Sequence, residues 1–290
     1  MKHYLLLLII PFVFFSCCCD ICDPAVGGRS PQICEYNPSK AGADIVEQYY
    51  IANLFQEKQE WTCIFNQYND KLYFVTYFDT NKYISVVNKT TMQVEKNILI
   101  PFPFENIEIR DFALHNNKIL FFIKTEEYGN ALFSFDQSDN TVKEITIETI
   151  GIDINEINNF GIDSVTGKFY FRIHYDELQF FTYDETNHTC SASESVNTAK
   201  LINWSWSYVN GLDLYNNVIY SPRSYQNMAG QIRTYIRIRN LSDISEKLKK
   251  IDLNYLNSIY AYNVLYDGEF IWTITNDKNC NLQLLKLKLL

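Results

Sequence analysis

Asn69-Asp70-Lys71-Leu72-Tyr73-Phe74 is a turn pair followed by an apolar strand, and the phrase returns four more times along the chain. Its counterparts are Asn116-Asn117-Lys118-Ile119-Leu120-Phe121, Thr166-Gly167-Lys168-Phe169-Tyr170-Phe171, Asn216-Asn217-Val218-Ile219-Tyr220 and Asp267-Gly268-Glu269-Phe270-Ile271-Trp272. Marked at Lys71, Lys118, Lys168, Val218 and Glu269, the steps are 47, 50, 50 and 51 residues, a fixed period. Asn-Asp, Asn-Asn, Thr-Gly and Asp-Gly accept positive φ and join flanking apolar stretches, so each phrase reads as a β-hairpin.

A second strand pair follows each hairpin: Tyr83 to Val87 with Val94 to Ile100, Ala131 to Phe135 with Val142 to Ile147, and Thr234 to Arg239 with Leu248 to Leu253. In the third repeat Gln179 to Tyr183 has a weaker partner after Thr189. Four strands per step make the blade of a β-propeller, because a lone blade leaves both faces uncovered and must stack around an axis. The expected fold is all-β, a five-bladed β-propeller with four-stranded blades. The last repeat offers only three strands before the chain ends. An N-terminal strand within 45–55 is therefore expected to close the last blade and cover its edge, the alternative being a short external helix over 43–54.

Tyr83-Ile84-Ser85-Val86-Val87-Asn88-Lys89-Thr90-Thr91-Met92-Gln93-Val94 resembles the strand-turn-strand of YVTN-like propeller repeats. The Trp-Asp, kelch double-glycine and sialidase Asp-box signatures are absent. The resemblance implies architecture; YVTN-like propellers include surface proteins, binding modules and some lactonases, so it implies little about activity.

Composition agrees with a folded β protein. The 290 residues are 47% hydrophobic and 16% aromatic, with 21 Tyr and 20 Phe, and such residues favour pleated surfaces. A formal net charge of -9 without a basic cluster repels a phosphate backbone, so a nucleic-acid partner is not expected.

At the N-terminus, Lys2 and His3 precede an apolar run over 4–15, too short to span a bilayer, which needs about 20 residues. Phe14-Phe15-Ser16-Cys17 then resembles a bacterial lipobox, with Phe14 where Leu is usual. The resulting division is a signal peptide over 1–16, a lipid-anchored linker over 17–40 starting at Cys17, and a propeller over 41–290. The address is the bacterial cell envelope, anchored through lipid at the outer membrane or cell surface, with simple secretion as the alternative. Five of the eight cysteines lie before residue 40. Cys19-x-x-Cys22 lacks the second half of a zinc site, and no metal or cofactor is assigned.

In a propeller a ligand binds at the mouth of the central channel. The inner strands are expected to open near Trp61, Arg110-Asp111, Asn159, Trp206 to Tyr208 and Tyr262, and the loops from second to third strand bring Asp79, Lys124, His174, Arg223 and Asp277. This aromatic, amide and charged ring suits a protein, peptide or glycan ligand through stacking and hydrogen bonds. Trp204 and Trp206 also suit packing between blades, and His174 has no nucleophile at readable spacing. Asp163 and Asp213, each five residues before a marker, suit bonds to backbone amides of the hairpin that follows. No catalytic residue is assigned. The enzyme alternative is a carbohydrate- or lactone-directed hydrolase using the inner-strand carboxylates Asp111 and Asp213.

Overall fold

The computed structural model describes residues 30–31, 34–55, 59–103, 106–126, 129–148, 154–173, 177–197, 211–226, 231–243 and 247–290. The chain is all-β, and among the described residues its α-helix is a single turn. The first elements are β1 (Ser30–Pro31), α1 (Pro38–Ala41) and β2 (Ala43–Tyr50). Meanders follow at the period of the hairpin phrase. The first is β3 (Glu60–Tyr68), β4 (Lys71–Phe78), β5 (Asn81–Asn88) and β6 (Val94–Leu99); the second is β7 (Ile107–His115), β8 (Lys118–Thr125), β9 (Gly129–Asp136) and β10 (Thr141–Glu148). The third is β11 (Ile157–Ile162), β12 (Phe169–Ile173), β13 (Glu177–Asp184) and β14 (Thr189–Asn197); the fourth is β15 (Asp213–Tyr215), β16 (Val218–Gln226), β17 (Gln231–Asn240) and β18 (Lys247–Asp252). The fifth has three strands, β19 (Ser258–Tyr266), β20 (Ile271–Asp277) and β21 (Leu282–Leu289).

The turn residues behave as their chemistry requires. Asn69 and Asn116 have φ of 55° and 54°, and both Asn216 and Asn217 are positive, at 50° and 61°. Short polar side chains tolerate this left-handed backbone, which matches the twist of the flanking strands.

The strands form four sheets, where five separate blades are expected. The difference lies in the second and third meanders. Their last strands, β10 and β14, pair in parallel through Thr146↔Thr189, Ile147↔Cys190 and Glu148↔Ser191, which fuses eight strands into one sheet. Two outer edges that would present unpaired amides thereby cover each other.

The final meander is completed from the other end of the chain. β2 runs antiparallel to β21, from Ala43↔Leu289 to Tyr50↔Gln283, with a bulge between Ile45 and Glu47. The strand starts two residues before the expected position and gives way at Ile51–Asn53 to a 3-10 turn, so the external-helix alternative does not occur. Part of the expected linker is also folded. β1 pairs in parallel with the start of β17, and α1 is capped by the Asn37 side chain, which accepts from the Lys40 amide at 3.0 Å. The Asn37 amide donates to the Tyr255 carbonyl at 2.9 Å, and Ala41 is buried in the core. The structured part of the chain therefore begins before residue 41. Residues 1–29, with Cys17 and the leader, lie outside the described residues.

Apolar layers fill the spaces between successive meanders. Val75, Val86, Phe112 and Phe121 join the first to the second; Phe122, Leu132, Phe160 and Phe171 join the second to the third. Tyr170, Phe180, Leu214 and Ile219 join the third to the fourth; Ile236, Ile251, Val264 and Leu285 join the fourth to the fifth. Trp272, Tyr262, Phe65 and Phe74 then join the fifth back to the first. Strands buried on both faces explain the unbroken apolar runs in the repeated phrase, such as Leu72 to Val75, all buried. The first strands lie in cyclic contact, β3 with β7, β7 with β11, β11 with β15, β15 with β19 and β19 with β3.

Candidate functional site

The inner strands carry polar side chains that bind one meander to the next. Asn66 donates from Nδ2 to the Phe112 carbonyl at 2.8 Å, and Asn263 donates to the Phe65 carbonyl at 3.4 Å. Asp111 takes the equivalent place in the second meander. Its Oδ1 accepts the Phe112 amide at 2.9 Å, while Oδ2 accepts the Phe160 amide at 3.2 Å and Asn159 Nδ2 at 3.4 Å. Bulges flank several of these positions, between Trp61 and Phe65, Ile109 and Asp111, Ile157 and Asn159, and Ala261 and Asn263. A bulge re-aims the side chain beside it, here across the seam to the neighbouring meander.

Asp163 and Asp213 do the same work farther down. Asp163 is fully buried and accepts the Val165 and Thr166 amides of its own hairpin, at 3.0 and 3.3 Å, and the Asn216 and Asn217 amides of the next, at 2.9 and 3.1 Å. Asp213 accepts the Tyr266 amide at 2.7 Å. Burial pushes the Asp111 carboxyl up to about 6 against the amide donors that favour its charge. Asp213 is pushed up to about 7, again chiefly by burial, with Asp163 and Asp111 adding like charge. A raised carboxyl suits a general acid, but both Asp111 oxygens are held by amides and Asp213 is held by the Tyr266 amide.

A different polar group occupies the seam between the third and fourth meanders. Arg172 on β12 stands opposite Asn159 on β11, and Arg223 on β16 stands opposite Tyr235 on β17. The arginines are 3% and 4% exposed. Cross-strand partners share a face and alternate residues repeat it, so Ile219, Ser221 and Arg223 share one side of the fourth meander with Tyr235, Arg237 and Arg239. Ile219 packs with Tyr170, Leu178 and Phe180, which identifies this as the side facing the third meander. Arg237 donates to the Tyr235 hydroxyl at 3.0 Å, and Lys250 lies 4.4 Å from the Tyr235 ring centre. Burial, then the charges of Arg172 and Arg237, pull the Arg223 guanidinium down to about 9. Its Nε and Nη1, the buried Ser221 Oγ, Asn159 Oδ1 and Arg110 Nε have no hydrogen-bond partner.

The expected mouth residues are therefore divided. Asp111 and Asn159 meet between β7 and β11, Arg110 next to Asp111 in the chain pairs with Glu108 at 3.1 Å, and Arg223 lies at the adjoining seam. Trp61 instead stacks on Phe55 at 6.3 Å, and Tyr262 is buried against Tyr260 at 4.7 Å, both in the apolar layer between the fifth and first meanders. His174, Trp206 and Tyr208 lie outside the described residues. Sequence reasoning missed Arg172 and Ser221. A usable signal for Arg172 was present, an arginine inside the apolar strand Phe169–Ile173, where a buried charge calls for a partner.

A cleft of about 340 Å³ lies elsewhere, on the seam between first and fifth meanders, lined by Glu47, Lys89, Thr90, Asp267, Glu269, Phe270, Trp272 and Lys286. Its charges pair with one another, Lys89 with Asp267 at 3.4 Å and Lys286 with Glu47 at 2.8 Å, so it reads as part of the closure. Among the described residues no three His, Cys, Asp or Glu side chains are grouped to hold a metal. Cys63 and Cys280 are disulfide-bonded, while Cys34 and Cys190 are free thiols.

No family model matches the chain, and no curated protein matches it in sequence. Solved structures do. The tail fibre of Staphylococcus aureus phage P68 superimposes with a TM-score of 0.54 at 10% identity, over 88% of this chain and 54% of the fibre chain. The chain thus spans about half the length of that protein. A Bacteroides fragilis NCTC 9343 protein described as exported gives a TM-score of 0.49 at 8% identity, covering 88% of this chain and 98% of that one. The β-propeller domain of Myceliophteria thermophila Cps50 (Swd1) gives 0.44 at 6% identity, covering 82% of this chain and 99% of the domain. At 10% identity the likeness to the tail fibre is one of fold alone. The likeness to YVTN-like repeats rests on the β5–β6 hairpin alone. Among the described residues no helix is long and apolar enough to cross a membrane.

Proposed function

We propose that the five meanders are the blades of one closed propeller, exported and held at the cell envelope through lipid on Cys17, which binds a ligand or partner protein without performing chemistry on it. One observation carries the binding reading. The inner-strand carboxylates accept backbone amides of their own and the neighbouring meanders, whereas Arg110, Asn159, Ser221 and Arg223 keep buried polar atoms without partners. Buried polar groups of that kind cost stability unless something satisfies them, and a ligand is the economical candidate. The cyclic contact of the first strands and the apolar layers in every seam support the five-blade ring. Export is supported by the charged start and apolar run of the leader, and by cysteines bonded as in an oxidising compartment.

Metabolic labelling with a palmitate analogue tests the anchor: label is expected on the wild type and absent from Cys17→Ser, and label retained by that variant removes Cys17 as the site. Arrays of glycans and short peptides test the mouth, with binding expected for the wild type and lost from Asn159→Ala and Arg110→Ala. The hydrolase reading has one observation in its favour, the raised carboxyls of Asp111 and Asp213. Turnover of a glycoside or lactone that disappears in Asp111→Asn with the fold intact would establish it in place of simple binding.

A further inference from the structure

The seam between the third and fourth meanders differs from the other four in what fills it. Among the described residues its apolar layer is the smallest, with Tyr170, Leu178, Phe180, Leu212, Leu214 and Ile219 buried. The space alongside is taken by Arg172, Arg223 and Ser221, all buried, with Arg237 and Arg239 on the same face of the fourth meander. Asp252, opposite Tyr235, pairs with Lys250 at 3.6 Å, Glu194, opposite Phe180, pairs with Lys168 at 2.6 Å, and Asp111 carries the carboxylate that interacts with Arg172. Arg223 is different: the charged side chains that act on it are Arg172, Arg237 and Arg239, and a buried guanidinium is costly unless a counter-charge joins it. Yet Arg223 Nε and Nη1 point to no acceptor, and Ser221, two residues earlier on the same face, adds an unused hydroxyl donor. Arg223 and Ser221 thus present donors without acceptors, the reverse of the carboxylates on the inner strands.

We infer that Arg223, with Arg172 and Ser221, forms a buried oxyanion site that takes the phosphate, sulfate or carboxylate group of the bound ligand. The Nε and Nη1 edge of a guanidinium presents two parallel N–H donors, which match two oxygens of such a group, and the Ser221 hydroxyl supplies a third donor. A bound oxyanion supplies the acceptors that Arg223 and Ser221 lack and a counter-charge for Arg223. This deepens the binding reading and rests on it, since it names the chemistry of the ligand at that mouth.

The test uses the purified full chain and inorganic phosphate, sulfate and acetate as probes, each against chloride at matched ionic strength. Melting temperature and calorimetric titration are read for wild type, Arg223→Met, Arg223→Lys, Ser221→Ala and, as a control for surface charge, Lys143→Gln. The expected result is a rise in wild-type melting temperature with at least one oxyanion and none with chloride. Arg223→Met is expected to abolish the rise; Arg223→Lys, which keeps charge but loses the fork, is expected to weaken binding at least about tenfold. Lys143→Gln is expected to behave as wild type. In chloride, Arg223→Met is expected to melt no lower than wild type, because removing an uncompensated buried charge relieves the fold. Should it fail to fold, Arg223→Lys and Ser221→Ala carry the same comparison. The ion preferred identifies the group, a tetrahedral anion for phosphate and sulfate or a planar one for acetate. An oxyanion response shared equally by wild type and the Arg223 and Ser221 variants overturns the inference, as does no response in wild type. If no oxyanion acts while an array ligand still depends on Asn159, the mouth binds something else: the anion site is then gone and the binding reading stands.

Discussion

Asp213 shows how a single side chain ties two meanders together and how that tie responds to pH. Its carboxyl accepts the Tyr266 amide and is pushed up to about 7, while Asp111 is pushed up to about 6, both from an ordinary value of 3.8. The folded state therefore holds more protons than the unfolded chain between about pH 4 and about pH 7. Where the native state binds more protons, stability falls as pH rises. Urea unfolding is expected to give a lower stability at pH 8 than at pH 5 from these groups, by about 4 kcal/mol with Asp213 the larger part, and Asp213→Asn is expected to flatten that fall. An unchanged pH slope in the variant would mean that Asp213 ionises in the fold as it does in the unfolded chain. Gly211, just before β15, tests the same seam sterically. It takes φ of 75°, and a Cβ there would lie 2.2 Å from Asn263 Oδ1 and 3.1 Å from the Asn263 Cα. Gly211→Ala is expected to destabilise by about 1–3 kcal/mol, measured as a lower urea midpoint with the slope unchanged.

At the scale of elements, β2 is the piece on which closure depends. It covers β21, whose Leu284, Leu285 and Leu287 are fully buried, and its own Ala43 is buried beneath the fourth and fifth meanders. Without β2 the strand Leu282–Leu289 would present an apolar row and a full set of unpaired amides. Deleting residues 2–58 is expected to lower the melting temperature by about 10 °C or more and to promote aggregation. A shorter deletion, of residues 2–29, leaves β1, α1 and β2 in place and is expected to change the melting temperature little. The fold thus extends into the expected linker, because α1 is anchored through Asn37 and Ala41 to the turn at Leu253–Leu256. Equal melting curves for the two truncations would show that β2 is dispensable.

For the whole molecule, closure brings the last residue beside the entry to β2. The Leu290 amide donates to the Gly42 carbonyl at 3.3 Å, so the last residue lies beside the entry to β2. Meanders in cyclic contact with an apolar layer in every seam have no unique first member, and chain segments that meet at the surface tolerate rejoining elsewhere. A permutant that joins residue 290 to residue 42 through a short Gly-Ser linker, with new ends in the exposed turn at Ser138 and Asp139, is expected to fold and melt within about 5 °C of a chain beginning at residue 42. A permutant that unfolds in two separate transitions would show that the seam between fifth and first meanders is weaker than the rest.

The hairpins, their period and the need for a closing strand were legible in the sequence because each is encoded locally. Asn69, Asn116, Asn216 and Gly167 signal turns by their tolerance of positive φ, and an unpaired Leu-rich strand at the end of the chain demands a partner wherever that partner lies. The candidate mouth was legible only in part. Asp111 and Asn159 meet, and Arg223 lies by Arg172, the cross-strand partner of Asn159, yet Trp61 and Tyr262, read the same way, belong to an apolar layer. Which way a strand residue faces depends on bulges such as those at Arg110 and Tyr262, and a one-residue slip moves every side chain after it to the opposite face. The fusion of β10 with β14, the capture of Asp111 by the Phe160 amide and the meeting of Arg172 with Arg223 were decided by tertiary structure alone. Each joins residues some 40 to 50 positions apart in neighbouring meanders. Turn chemistry acts within a few residues of chain, whereas the contents of a seam are set by the packing of two sheets, and no local pattern reports them.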